Sequence, residues 1–205
     1  MTIQIYGDFG SGNCLKVKYI ADATGTPYTW HEIIARTGAT KTPEYLALNP
    51  SGQMPLIVLD DGRPIAESNA ILRYLARDSR FIPADAYDAA KVDEWLFWEQ
   101  YSHEPTVAVA RARIMYDGFT PDTLDPALLK KANAALDRLE HALTDKKFLV
   151  GETMTIADIC LLAYTRLAPE GGMDLTGRPA LLRWIAICEQ ELGLPAIGDQ
   201  AGARA

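Results

Sequence analysis

The pair Glu67-Ser68, at the head of Asn69-Ala70-Ile71-Leu72-Arg73-Tyr74-Leu75, offers two groups that could grip a charged small molecule. The serine opens a helical pattern, and first-turn N–H groups of a helix lack internal partners and carry partial positive charge. A ligand carboxylate fits there, held by the Ser68 amide and hydroxyl. Glu67, beside it, is placed to receive an ammonium group. Upstream, Asn49-Pro50-Ser51-Gly52-Gln53-Met54-Pro55 leads into the apolar run Leu56-Ile57-Val58-Leu59. An X–Pro bond costs only about 0.5–1 kcal/mol to hold cis. A cis Met54-Pro55 bond would turn the Met54 N–H and C=O outward, available to an extended peptide as another strand would be. A proline that starts a strand and a serine that caps a helix each occur without any ligand. Their order and spacing together point to a site for a short peptide carrying a carboxylate.

The elements that must position these groups follow from pattern. Ile3 and Ile5 alternate with polar residues in an opening strand. Asp8 to Asn13 is a glycine-bearing loop, and Cys14 to Ala23 reads as a helix. Thr29 to Ile34 makes a second strand, and Thr42 to Leu48 a short helix with Pro43 in its first turn. Asp61-Gly62 turns the Leu56–Leu59 strand back on itself. Pro64 places the return strand at a sheet edge, because proline cannot donate to a ladder. A right-handed crossover makes the first two strands parallel. The expected result is an α/β domain over residues 1–77, a small mixed sheet of thioredoxin-like arrangement. Residues 78–87 read as a linker and 88–205 as an all-helical domain. Within it, Ala89 to Tyr116 forms one long segment with a bend expected at Pro105. Pro126 to Leu143 is amphipathic. Thr155-Ile156-Ala157-Asp158 resembles a capping box opening a helix from Ile156 to Leu167, with Met154 and Ile159 as its hydrophobic staple. Arg178 to Leu192 is a further helix, and the tail from Gly198 is expected to be mobile.

Composition narrows the partners. The 205 residues are 48% hydrophobic and 23% charged, with a formal net charge of −7. That balance supplies no basic field for nucleic acid. No apolar run approaches the roughly 20 residues of a membrane span. The chain opens directly on a strand pattern, so no secretion signal is expected. Cys14, Cys160 and Cys188 are odd in number and lack C-x-x-C spacing. Structural disulfides and zinc are therefore not expected, and a reducing cytoplasm is the expected home. His31, His103 and His141 show no metal-ligand spacing and read as surface or helix-face residues.

A thioredoxin-like domain, a short linker and a helical domain together resemble the cytosolic glutathione transferases. The residues that carry the likeness are Ser11-Gly12-Asn13-Cys14, Lys41-Thr42-Pro43-Glu44, Asn49-Pro50 with Gly52-Gln53-Met54-Pro55, Glu67-Ser68 with Ile71 and Tyr74-Leu75-Ala76, and the Gly151–Asp158 segment. The likeness spans nearly the whole chain and is strongest toward bacterial serine-type members and the theta and phi classes.

The resemblance implies glutathione as co-substrate, no metal, and a homodimer. It implies that the γ-glutamyl end of the tripeptide sits at Glu67 and Ser68 and that its cysteinyl backbone pairs with Met54, before the cis Pro55. Gln53 contributes nearby, and Lys41 holds the glycine carboxylate. Thr40 stands where several relatives carry a histidine. Ser11 matches the family's serine that donates a hydrogen bond to the thiolate. A free thiol has a pKa of about 8.5, and stabilising the charged form lowers it. Ser11 or Asn13 could instead only cap the helix; Tyr6 and Cys14 are alternatives for the thiolate role, Cys14 reading rather as a packing residue. The electrophile, small and hydrophobic, is implied to meet Phe9, Tyr101 and Tyr116, with Trp98 and Met115 near. Arg111 and Arg113 would favour an anionic co-substrate. A scaffold domain of the same fold and a glutathione-dependent thiol exchanger are the competing readings. The retained Lys41, Glu67 and Ser68 oppose the first, and serine at position 11 opposes the second.

Overall fold

The computed structural model describes residues 2–197, and the chain divides after Ile82 into two compact units. The first unit is built on β1 (Ile3–Gly7), β2 (Tyr28–Glu32), β3 (Leu56–Val58) and β4 (Pro64–Ala66). They form one mixed sheet in the order β2-β1-β3-β4. β1 and β2 run parallel, while β3 is antiparallel to both its neighbours. Pro64 lies on the outer strand, as its missing N–H requires. β2 stops at Glu32 rather than continuing to Ile34, because its partner Gly7 is the last residue of β1.

The helices of this unit are α1 (Gly12–Ala23), α2 (Pro43–Leu48) and α3 (Ser68–Ala76). α1 begins at Gly12, two residues before the expected Cys14, with Ser11 in the N-cap position. α2 has Pro43 in its first turn, and the Thr42 side chain accepts from the Tyr45 N–H. Ile5, Val17, Ile20, Leu56, Ile57, Ile71 and Leu72 are fully buried and form the core shared by the sheet, α1 and α3.

In the second unit, α4 (Ala86–Trp98) is capped by the Asp85 side chain, so the last two residues of the expected linker are already helical. The backbone then widens into a π-helix over Glu99–Ala108 before resuming as α5 (Val109–Asp117). Pro105 lies inside the wide segment. It cannot supply an N–H to the preceding turn, so the helix relieves the proline by changing register rather than by a simple bend. α6 (Pro126–Ala142), α7 (Ile156–Thr165) and α8 (Pro179–Leu192) complete the unit. Every residue of α7 is buried, and its capping box is formed by Thr155 and Asp158. Met154 and Ile159, the expected staple, are both fully buried. Of the expected alternatives for His103, surface or helix face, the structure gives the helix face: it lies within the π-helix and is fully buried, its Nε2 3.0 Å from Thr165 Oγ1. The tail from Gly198 lies outside the described residues. Among the described residues no helix is long and apolar enough to cross a membrane.

Candidate active site

The ladder Tyr6↔Leu56↔Ala66 brings three chain segments to one end of the sheet. They are the loop that leaves β1, the residues that enter β3, and the residues that leave β4. Ser11, Met54-Pro55 and Glu67-Ser68 therefore converge although they are far apart in sequence.

The first loop is braced from both sides. The Gly10 N–H donates to Asp8 Oδ1 at 2.6 Å and the Ser11 N–H to the Asp8 carbonyl at 3.0 Å. Glu32 accepts from the Phe9 N–H at 3.1 Å and from Trp30 Nε1 at 2.6 Å. Phe9 is exposed and stacks on Trp30 with centroids 4.6 Å apart. The Ser11 hydroxyl accepts from the Cys14 N–H at 3.5 Å. That is the limit of a useful bond, so its capping role is weak.

Cys14 packs beneath this loop with no solvent exposure. A Cβ at Gly7 would come within 3.1 Å of its sulfur and 2.9 Å of Trp30, so a side chain there would force these neighbours to shift. Burial pushes the Cys14 thiol up to about 11, outweighing the lowering by the Asp8 backbone and the Ser11 hydroxyl. It is neutral at physiological pH and sealed, unsuited to nucleophilic work. Iodoacetamide is expected to leave Cys14 unmodified in folded protein at pH 8 and to alkylate it on unfolding, as peptide mass analysis would show. Rapid alkylation of the folded protein would overturn this.

The Met54-Pro55 peptide bond is cis. The Gln53 carbonyl immediately before it is pinned by two donors, Tyr45 Oη and Asn49 Nδ2, each at 2.8 Å. Among the described residues, none of the turn and loop backbone hydrogen bonds uses the Met54 N–H or C=O. Lys41 Nζ donates to the Gly52 carbonyl at 3.0 Å and to that of Ser51 at 3.3 Å, which places its charge beside Gln53. Gly52 has φ of 59°, and a Cβ there would strike Lys41 Nζ at 2.5 Å. Thr40 is buried.

Glu67 has φ of 69°, the one positive value at a non-glycine among the described residues. Such a conformation costs on the order of 1–3 kcal/mol and persists where the surroundings enforce it. Its side chain is exposed, while Ser68 is buried. Ser68 Oγ donates to Asn13 Oδ1 at 3.2 Å and accepts from Lys16 Nζ at 3.5 Å. Lys16 Nζ also donates to Asn69 Oδ1 at 3.4 Å. The N-termini of α1 and α3 are thus tied by side chains, and Ser11 and Ser68 belong to one constellation.

Lys16 has no place in the sequence reading, although a signal was present. It stands one turn before Ile20 and three residues after Asn13, on the face of α1 that turns inward. Tyr6, the alternative to Ser11, points away from Ile5 as alternation requires. It stacks on His31 at 4.6 Å and meets the edge of Tyr45.

The helical unit places the other candidates separately. Tyr101, 87% exposed, lines a groove of about 460 Å³ with Trp98, Pro105, Lys131 and Arg138. Tyr116, on α5, is not among the residues lining that groove. Arg111 corrects the expectation of a site for an anionic co-substrate. It is 2% exposed and pairs with Glu170 at 2.7 Å, a structural role. Arg113 pairs with Asp117 at 3.1 Å. Among the described residues no group of histidine, cysteine and carboxylate side chains could hold a metal ion.

A four-stranded thioredoxin-like sheet with a cis-proline at one end, followed by an all-helical unit, defines a two-part class of fold. Comparison with known proteins agrees: residues 10–78 match the family model of the glutathione S-transferase N-terminal domain, and residues 97–191 that of its C-terminal domain. A glutathione S-transferase structure from Pseudomonas fluorescens Pf-5 is 42% identical, with a TM-score of 0.88, covering 91% of this chain and 94% of that one. Glutathione S-transferase theta-1 of Rattus norvegicus is 28% identical over 94% of this chain and 85% of its own length. Elongation factor 1-gamma of Prunus avium is 32% identical over 78% of this chain, which spans only 38% of that protein. The chain belongs to the cytosolic glutathione S-transferase family.

Proposed function

We propose that this glutathione transferase binds reduced glutathione on its first unit, ionises the thiol beside Ser11 and adds it to a small hydrophobic electrophile. The observation that carries the reading is the convergence of Ser11, Met54 and Ser68 at one end of the sheet. The γ-glutamyl carboxylate goes to the Ser68 amide and hydroxyl at the head of α3, and the ammonium to Glu67. The cysteinyl backbone pairs with Met54, and Lys41 with Gln53 receives the glycine end. The Ser11 hydroxyl then donates to the sulfur, and the N-terminus of α1 adds a favourable field. The thiol proton is released to solvent, the thiolate attacks the electrophilic carbon and the leaving group departs with the bonding pair. Rate enhancement comes from proximity and thiolate stabilisation, and no bond to the enzyme forms. Phe9, exposed beside Ser11, supplies apolar surface for the electrophile.

Family membership supports a homodimer, as do the exposed Tyr87, Phe97 and Tyr101 of the helical unit. The three buried, unbridged cysteines support a cytoplasmic location. The likeness to elongation factor 1-gamma supports a second reading, in which a domain of this fold serves as a binding module without catalysis.

Retention on immobilised glutathione, followed by conjugation of an aromatic halide, separates the readings. Retention with conjugation is expected. Retention without conjugation favours the binding module, and protein that is not retained overturns the glutathione site itself. Disulfide exchange that disappears only in Cys14→Ser would favour a thiol exchanger.

A further inference from the structure

We infer that Tyr45 is a positioning residue for the cysteinyl part of the bound tripeptide: its hydroxyl, acting with the Asn49 side chain, sets the Gln53–Met54 peptide plane so that the Met54 N–H faces the ligand. The inference rests on the glutathione reading and deepens it, naming what aims a backbone donor.

Residues 49–55 lie outside helix and strand, so side chains must hold them. Three successive carbonyls are taken in that way. Lys41 Nζ donates to those of Ser51 and Gly52, while Tyr45 Oη and Asn49 Nδ2 both donate to that of Gln53, each at 2.8 Å. Two donors occupy both lone pairs of the Gln53 carbonyl and leave it little freedom to turn. Among the described residues only Met54-Pro55 is cis. The Gln53–Met54 peptide is therefore trans, and its C=O and N–H point in opposite directions. Drawing the carbonyl toward α2 turns the Met54 N–H away from it, where an extended ligand backbone can pair. Tyr45 and Asn49 are buried and Met54 is half-buried, so the pull is inward and the donor faces out. Asn49 is itself fixed, because its Oδ1 accepts from the Ser51 N–H at 3.2 Å and the Ser51 hydroxyl at 2.8 Å. Burial pushes the Tyr45 hydroxyl up to about 12, so it stays protonated and remains a donor at neutral pH. Without that hydroxyl Asn49 alone holds the carbonyl, and the peptide plane regains freedom that binding must remove.

The test compares full-length wild type with Tyr45→Phe, which keeps the ring and deletes the donor. Calorimetric titration gives the affinity for glutathione. Solvent exchange of the Met54 amide is followed by NMR in protein labelled with heavy nitrogen at its five methionines, so that few signals need assignment. In wild type, saturating glutathione is expected to slow Met54 exchange about 10-fold or more. In Tyr45→Phe affinity should fall about 3- to 10-fold, the scale of one neutral hydrogen bond. At equal saturation the slowing should drop below about 3-fold. Turnover at saturating glutathione should stay within about 2-fold of wild type, because Ser11 still serves the sulfur. A merely structural tyrosine would lower the melting temperature and leave affinity and Met54 protection unchanged, which overturns the inference. Affinity lost with Met54 protection kept, or turnover lost with affinity kept, also overturns it. If Tyr45→Phe does not fold, Asn49→Asp carries the same comparison, since it removes the other donor and keeps the acceptor for Ser51. A wild type that binds glutathione without slowing Met54 exchange overturns the inference alone. A wild type that does not bind glutathione overturns the glutathione reading as well, so the two failures are distinct.

Discussion

Ser11→Ala is expected to lower the turnover of conjugation about 10- to 100-fold at neutral pH while changing the KM for glutathione less than about 3-fold. A hydrogen bond to a charged group contributes about 1.5–3 kcal/mol, and one pKa unit corresponds to about 1.4 kcal/mol. Losing the hydroxyl should therefore raise the pKa of the bound thiol by roughly one to two units and deplete the thiolate accordingly. In the proposed site binding is held elsewhere, at Met54, Ser68 and Lys41, so the effect should fall on the reacting sulfur. The stability loss should stay below about 1 kcal/mol, because the capping bond to Cys14 is long. Thiolate ultraviolet absorbance of the binary complex against pH measures the shift directly. An unchanged titration in the variant would remove Ser11 from the mechanism. Asn13 and Tyr6 would then be the candidates, because burial holds the Cys14 thiol neutral.

What the sequence disclosed was whatever rests on local chemistry. The Asp-Gly turn, the edge proline, the cis Met54-Pro55 bond and the Thr155–Asp158 capping box each depend on a few adjacent residues, and all are present. Features set by distant packing were not legible. Lys16 is explained only when α1 lies against Ser68 and Asn69, more than fifty residues away. Arg111 reads as a helix-surface cation until Glu170 closes on it from another part of the fold. A 3.6-residue period signals helix but cannot distinguish a bend at Pro105 from the wider register observed over Glu99–Ala108. Aromatic spacing likewise could not say that Tyr101 lines a groove with α6 residues while Tyr116 stands apart from it.

Asp158→Ala is expected to be the most damaging single substitution for stability, at about 3–5 kcal/mol. The carboxyl is fully buried and accepts from four donors: the Leu149 N–H at 2.9 Å, the Thr155 N–H at 2.9 Å, Thr155 Oγ1 at 3.1 Å and Trp184 Nε1 at 2.9 Å. It thus joins the segment before α7, the start of α7 itself and the buried indole of α8. Truncation orphans all four donors inside the protein and deletes half of the capping box. Thermal unfolding should show a fall of roughly 10–15 °C, and a loss under about 1 kcal/mol would sink this account. Asp158→Asn should lie between, since an amide keeps the shape but presents two N–H groups to an environment of donors. The pH dependence separates charge from shape. Burial raises the Asp158 carboxyl pKa more than its donors lower it. A carboxyl raised on folding contributes stability in full below its unfolded pKa of about 3.9, and loses that contribution as pH rises through the higher folded value. Wild type should therefore gain on Asp158→Asn as pH is lowered from neutrality into the acid range, measured by denaturant unfolding of both proteins across that window. A gap that narrows on acidification would mean that the four donors outweigh burial and that the carboxylate is the favoured form.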